Sequence, residues 1–342
     1  MNTIHVLSVL DFTEDQLQKL RSVSPCLVVE QKRCRSEEEI AAALEEAGTH
    51  RRTEVLCTFR LPDDLSIAPH LRWVQVTSAG VNHLLGHPIM RNDILLTNAS
   101  GIHATSIGEY VLAMMLNLTK RWPWKLSLKW GHGWPHDREF ASSGGELWRK
   151  VVGIVGYGSI GREVARLCQA LGMRVLATKR DQEDRIDHGY CLAGRGDREG
   201  RIPEALFGPD GLAEMLPQCD YVVIAAPLTH ETQGLIGAEE LAAMKPSAYL
   251  INIARGGLVD EGALVETLRC GHIPGAALDV FAEEPLPSTH PLWELSNVLL
   301  TPHISGASPV YNDRASDLFA ENLGRYVEGE TLLNLVDKER EY

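Results

Sequence analysis

The chain has 342 residues, 44% of them hydrophobic, which is long enough for two domains with separate cores. A formal net charge of −13 gives no general attraction to nucleic acid or anionic membranes, and no apolar run approaches the roughly 18 residues of a membrane span. The first ten residues lack both the basic stretch and the apolar length of a signal peptide, and the seven cysteines are scattered with no Cys-x-x-Cys spacing, so a reducing cytoplasmic setting with free thiols is expected.

In chain order, short β-rich runs alternate with helical patterns. A strand is predicted at 4–10, a helix at 14–22, a strand at 26–30, a helix at 36–47 and a strand at 54–59, with Ser36 and Glu39 spaced as a capping box. Strands follow at 73–76 and 94–97, then a long helix from about 103 to 118. Residues 121–148 hold five of the seven tryptophans (Trp122, Trp124, Trp130, Trp134, Trp148), broken by Pro123 and Pro135. A dimerisation arm, an active-site rim and a crossover burying its aromatics all suit that pattern. A second alternating unit has strands at 151–155, 174–177, 221–225, 249–252, 275–278 and 298–301, with a polar surface excursion over 181–210. A last helix, 308–328, is too short to form a domain and is expected to pack on the N-terminal one. Strand-helix alternation implies an α/β protein with mostly parallel sheets covered on both faces.

The run Val152-Gly153-Ile154-Val155-Gly156-Tyr157-Gly158-Ser159-Ile160-Gly161 ends a strand in Gly-x-Gly-x-x-Gly and passes at once into a helical pattern. Gly156 allows the turn, Gly158 lets backbone amides approach a pyrophosphate, and Gly161 lets helix and strand pack closely. It reads as a dinucleotide site.

Three later motifs narrow the chemistry. Ile253-Ala254-Arg255-Gly256 puts an arginine at a strand's C-terminal end, where open α/β sheets present ligands. Leu278-Asp279-Val280-Phe281-Ala282-Glu283-Glu284-Pro285 and Thr301-Pro302-His303-Ile304-Ser305-Gly306 put acids and a histidine after the next two strands. Taken singly, Arg255 could be a structural ion-pair residue, Glu284 part of an acidic loop and His303 a turn residue. His83/His87 and His132/His136 have metal-ligand spacing, but neighbouring glycines and prolines argue against regular helices there, and no metal is expected.

From Val76 to Gly306 the chain resembles the D-isomer-specific 2-hydroxyacid dehydrogenases, the glyoxylate/hydroxypyruvate reductases and phosphoglycerate dehydrogenases among them. Their catalytic Arg, Glu and His correspond to Arg255, Glu284 and His303, which follow one another by 29 and then 19 positions. Gln75-Val76-Thr77-Ser78-Ala79-Gly80-Val81-Asn82 matches the family's substrate-carboxylate loop, and Ala226-Pro227-Leu228-Thr229-His230-Glu231-Thr232 its adenine-side segment. The resemblance implies two Rossmann-like doubly wound domains with a cleft between them: a discontinuous substrate domain, 1–119 with 304–342, and a cofactor domain inserted at 120–303. It implies hydride transfer between NAD(P) and a small 2-keto or D-2-hydroxy acid, with Ser78, Ala79, Gly80 and Arg255 on the substrate. Gly156, Tyr157, Gly158, Ser159, Ile160, Gly161, Ala226, Pro227, Thr232, Ile253, Ala254, His303 and Gly306 would line the cofactor, and Asp279 would hold the nicotinamide carboxamide. It also implies a homodimer.

The chemistry agrees. Arg255 offers a rigid fork to carboxylate and carbonyl oxygens, and His303, with an ionised Glu284 on its other ring nitrogen, is equipped to act as general acid or base. The second Rossmann strand departs from the NAD pattern. It ends Ala177-Thr178-Lys179-Arg180, where NAD-selecting domains carry an acid for the ribose hydroxyl, so NADP is expected over NAD. The competing reading has Asp181 bond the ribose. Formate dehydrogenases of the superfamily carry glutamine in place of Glu284. The C-terminal-binding-protein corepressors, cofactor-sensing scaffolds with the same three residues, carry a tryptophan shortly after the histidine, where this chain has Ile304-Ser305-Gly306-Ala307.

Overall fold

A computed structural model of the chain describes residues 3–50, 53–122, 125, 134 and 144–342, with 47–50 as backbone alone. Two compact units emerge, one of Met1–His103, His188–Leu192 and Ser308–Tyr342, the other of Ala104–Asp187 and Ala193–Ala307.

The first unit contains β1 (Ile4–Ser8), α1 (Glu14–Ser22), β2 (Leu27–Gln31), α2 (Glu37–His50), β3 (Thr53–Thr58), β4 (Trp73–Val76) and β5 (Leu95–Thr97). These strands form a parallel sheet in the order β2-β1-β3-β4-β5. Successive strand residues point to opposite faces, so one strand feeds two cores. Leu56 and Val74 pack with Ile40 and Leu44 of α2, whereas Val55 and Trp73 pack with Leu17 and Leu20 of α1 and with the last helix. Thr13 and Gln16 form a capping box at α1 that the sequence reading missed, and the one expected at α2 is half made: Ser36 accepts from the Glu39 amide, but the Glu39 carboxylate takes the Arg35 amide instead.

The second unit contains α3 (Ala104–Lys120), β6 (Val151–Val155), α4 (Ser159–Ala170), β7 (Arg174–Thr178), β8 (Ala205–Phe207), α5 (Leu212–Met215), β9 (Tyr221–Ile224), α6 (Ala238–Ala243), β10 (Tyr249–Asn252), α7 (Glu261–Arg269), β11 (Gly275–Leu278) and β12 (Val298–Leu300). Its parallel sheet runs β12-β11-β10-β9-β6-β7-β8, a doubly wound order whose reversal falls between β6 and β9. The chain closes with α8 (Tyr311–Glu328), which belongs to the first unit, as expected, and there buries Leu318, Phe319 and Leu323.

Two features differ from the sequence reading. Helix α3 and residues 304–307 go with the second unit: Ile107, Val111, Met115 and Leu118 pack with Val152, Ile154 and Val164, and the Ser106 hydroxyl bonds the Ser305 and Ala307 carbonyls. The excursion after β7 ends in strand β8, three residues too short to show a period, and its segment His188–Leu192 belongs to the first unit, where Tyr190 joins the core. Among the described residues no helix is long and apolar enough to cross a membrane.

Candidate active site

The glycine-rich loop leaves β6 at the reversal of the sheet. Gly156 has φ +101°, and a Cβ there would lie 2.5 Å from the Ala226 nitrogen; one on Gly161 would lie 2.3 Å from the Gly156 carbonyl. Folding therefore demands both glycines. At Gly158 it does not: φ is −87°, and a Cβ would meet nothing within 4 Å. Gly158 is also the N-cap of α4, with no side chain capping the helix, so the first-turn amides of Ser159 and Ile160 lie at a positive helix end beside open space. A bare glycine with no folding reason at an uncapped helix start fits a dinucleotide pyrophosphate.

Tyr157 and Arg162 turn the other way. The Tyr157 hydroxyl donates to Asp197 (2.6 Å), and the fully buried Arg162 donates to the carbonyls of Asp197 and Arg185 (2.5 and 2.7 Å) while lying over the Tyr157 ring. The excursion after β7 is thus clamped onto the glycine-rich loop. Sequence gave no local sign of Arg162's part.

At the end of β7 the Thr178 hydroxyl accepts from the Gly156 amide (3.1 Å). Lys179 pairs with Asp184, and Arg180 with the exposed Glu231. Asp181, the competing candidate for the ribose, accepts the amides of Glu183 and Asp184 (3.0 and 3.2 Å), turning its carboxylate into its own loop. Ala226 is buried against Gly156, and Thr232 donates to the Pro227 carbonyl (2.7 Å) while accepting from the Thr229 amide (2.8 Å), which fixes the 226–232 turn.

Arg255 follows β10. The buried Asn252 side chain organises that turn, accepting from the Ala254 amide (3.1 Å) and donating to the Arg255 carbonyl (3.0 Å). Ile253 and Ala254 are buried beneath it. A Cβ on Gly256 would lie 1.9 Å from the Phe281 carbonyl carbon, so only glycine admits the loop after β11 at that point. Burial lowers the Arg255 pKa, and the negative charge of Glu284 acts in the opposite direction.

Of the two adjacent acids, Glu284 is the one that bonds His303: its Oε2 lies 2.7 Å from Nδ1, while Oε1 accepts from the Phe281 amide (3.0 Å). The side chains are 46% and 35% exposed for His303 and Glu284, and with Nδ1 on the carboxylate, Nε2 is the nitrogen left for chemistry. His303 has φ +53°, a left-handed conformation costing on the order of 1 kcal/mol outside glycine. Asp279, fully buried, supports it. The Asp279 carbonyl accepts the His303 amide (2.9 Å), and its carboxylate accepts the Ile304 and Ser305 amides (2.9 Å each) and the Thr301 hydroxyl (2.6 Å). Among the described residues Oδ2 accepts from the Ser305 amide alone, which leaves it one further acceptor position. Gly306 closes this loop.

In the first unit, Ser78, Ala79 and Gly80 follow β4. The Tyr311 hydroxyl holds the Thr77 carbonyl (2.7 Å), the Ala99 amide holds that of Ser78 (2.8 Å), and the buried Ser78 Oγ has no partner among the described residues. A cavity of about 580 Å³ there is lined by Phe59, Arg60, Leu61, Ser78 and His83 among others. His87 is a structural cap, with Nδ1 accepting the Ile89 amide (3.1 Å) and Nε2 on the Pro62 carbonyl (2.9 Å). His132, His136 and most of the tryptophan-rich 121–148 segment lie outside the described residues.

Comparison with known proteins agrees with this geometry. Residues 112–305 match the family model described as D-isomer specific 2-hydroxyacid dehydrogenase, NAD binding domain. A glyoxylate reductase of Aeropyrum pernix is 36% identical over 289 residues, covering 83% of this chain and 82% of its own. A D-isomer specific 2-hydroxyacid dehydrogenase from Xanthobacter autotrophicus Py2, solved with NADPH and MES, superposes with a TM-score of 0.77 at 28% identity, covering all of both chains. An NADPH-dependent glyoxylate/hydroxypyruvate reductase from Sinorhizobium meliloti, solved with NADP and sulfate, gives 0.76 at 26% identity, covering 99% of this chain and 100% of its own. The chain belongs to the D-isomer specific 2-hydroxyacid dehydrogenase family and is an NAD(P)-dependent enzyme of 2-keto and 2-hydroxy acids.

Proposed function

We propose that this enzyme reduces small 2-keto acids of the glyoxylate and hydroxypyruvate type, using NADPH in preference to NADH, as a cytoplasmic homodimer. The observation that carries the chemistry is the 2.7 Å bond between His303 Nδ1 and Glu284, made on the loops that follow β12 and β11, while Arg255 follows β10, the next strand in the sheet. Reduced nicotinamide, when bound, supplies the hydride that adds to the carbonyl carbon. Arg255 binds the substrate carboxylate and carbonyl oxygen through its planar fork and stabilises the charge that develops on the oxygen. His303 Nε2 gives its proton to that oxygen, and Glu284, bonded to Nδ1, holds the ring in the orientation that aims Nε2 at it. In oxidation the neutral ring takes the proton back.

Ser78 and the amides of Ala79 and Gly80 are proposed as ligands of the substrate. Gly156, Gly158, Ser159, Ile160 and Gly161 are assigned to the pyrophosphate, Tyr157 through its backbone alone because its side chain faces Asp197, with Ala226, Pro227 and Thr232 on the adenine side. Ile253, Ala254, Gly306 and the free acceptor position of Asp279 are assigned to the nicotinamide end. Lys179 and Arg180 take the 2′-phosphate. The NADPH and NADP in the solved relatives support that choice, as does the turning of Asp181 into its own loop. The relatives named for glyoxylate and hydroxypyruvate support the substrate class.

Purified protein mixed with glyoxylate or hydroxypyruvate is expected to consume NADPH faster than NADH at equal concentration. Absence of turnover across a broad 2-keto acid panel overturns this reading in favour of a cofactor-sensing scaffold. Light scattering is expected to give twice the 37.8 kDa chain mass, and a monomer mass at micromolar concentration refutes the dimer.

A further inference from the structure

The loop bearing His303 is held by a chain of side chains that begins on α3. The Tyr110 hydroxyl lies 2.6 Å from Thr301 Oγ1, and Thr301 Oγ1 lies 2.6 Å from Asp279 Oδ1. A carboxylate only accepts, so the Thr301 proton points to Asp279 and the Thr301 oxygen accepts from Tyr110. All donors therefore run one way, from Tyr110 through Thr301 to Asp279, which in turn accepts the Ile304 and Ser305 amides on the far side of His303. From the same helix, the Ser106 hydroxyl lies 2.9 Å from the carbonyls of both Ser305 and Ala307. One helix thus grips residues 301–307 at both ends, and between the grips sits a histidine in the left-handed region of the backbone map.

We propose that Tyr110, Thr301 and Ser106 are positioning residues for His303: through Asp279 and the 305–307 carbonyls they fix where Nε2 stands relative to the reacting oxygen. This rests on the reading of His303 as proton donor. None of the three touches substrate in this role, so their effect falls on turnover. Displacing a catalytic group by about 1 Å costs up to about 100-fold in rate.

The test compares Thr301→Val, Thr301→Ser, Tyr110→Phe and His303→Ala in the full chain, reading kcat, the KM for NADPH and the melting temperature. Thr301→Val is expected to lose roughly 10- to 100-fold in kcat, with a smaller change in the KM for NADPH and a lowered melting temperature from the donor lost at buried Asp279, and Thr301→Ser, which keeps the hydroxyl, to recover parental turnover and stability. Tyr110→Phe leaves Asp279 all its donors and is expected to lose less, about 3- to 10-fold. Parental kcat in Thr301→Val overturns the proposal, as does equal loss in Thr301→Ser. If Thr301→Val does not fold, Tyr110→Phe decides: kcat within twofold of the parent overturns it. Parental turnover in His303→Ala strikes the reading of the reaction itself, whereas an inactive His303→Ala beside a fully active Thr301→Val strikes this inference alone.

Discussion

Two groups of charged residues at the ends of parallel strands in the second unit are held in opposite ways. Arg255, Glu284 and His303 stand on turns whose backbone is fixed by buried side chains, Asn252 under the first and Asp279 under the third, and by close approach at Gly256. Lys179 and Arg180 are held by acids that face solvent, Glu231 with its side chain 75% exposed and Asp184 45%. Exposed ion pairs contribute about 0–1 kcal/mol and are readily exchanged, while buried acceptors are not. The groups proposed to meet a reacting atom at a set distance are built in. Lys179 and Arg180, proposed to exchange their acids for a phosphate, are paired with acids that face solvent.

The sharpest way to break this contrast is to remove the fixed groups. His303→Ala and Arg255→Ala are each expected to fold normally and to lose on the order of 10²–10⁴-fold in turnover. Keto-acid reductase activity within about threefold of the parent in either variant would sink the assignment. Glu284→Gln keeps a hydrogen-bonding group on Nδ1 and should lose less, about 10- to 100-fold; a loss equal to that of His303→Ala would mean that the carboxylate does more than hold the ring. The exchangeable pair should give the smallest effect, confined to one cofactor. Lys179→Ala/Arg180→Ala is expected to raise the KM for NADPH about tenfold and leave NADH use nearly unchanged, since each lost phosphate contact is charge-assisted. Equal changes for both cofactors would show that these cations do not read the 2′-phosphate.

The same contrast explains what could be read in advance. Arg255, Glu284 and His303, each open to an ordinary structural reading alone, were legible only together, through their separations of 29 and 19 positions and the glycine-rich loop upstream of them. The strands were legible because buried parallel strands are continuous apolar runs. Asn252, Thr301, Tyr110 and Ser106 were not. They are ordinary polar residues whose partners, in the case of Tyr110 and Thr301, lie 191 positions apart, and no local pattern announces such a bond. Helix α3 showed its apolar stripe, but a stripe does not say which sheet it covers, so its assignment to a unit waited on the packing of Val111 and Met115 against Val152 and Ile154. Strand β8 escaped because Ala205–Phe207 spans less than two periods of the strand repeat.

The left-handed backbone at His303 restricts which side chains this position can exchange for histidine. Asparagine and glycine adopt that conformation readily, and β-branched residues do so at considerable strain. Loss of function after histidine-to-valine replacement would therefore mix a missing proton donor with a refolded loop. Asparagine removes the imidazole and keeps the turn. Among variants of this enzyme, natural or engineered, a protein that has given up the reaction but kept its loop intact is expected to carry asparagine or glycine here, never isoleucine, valine or threonine.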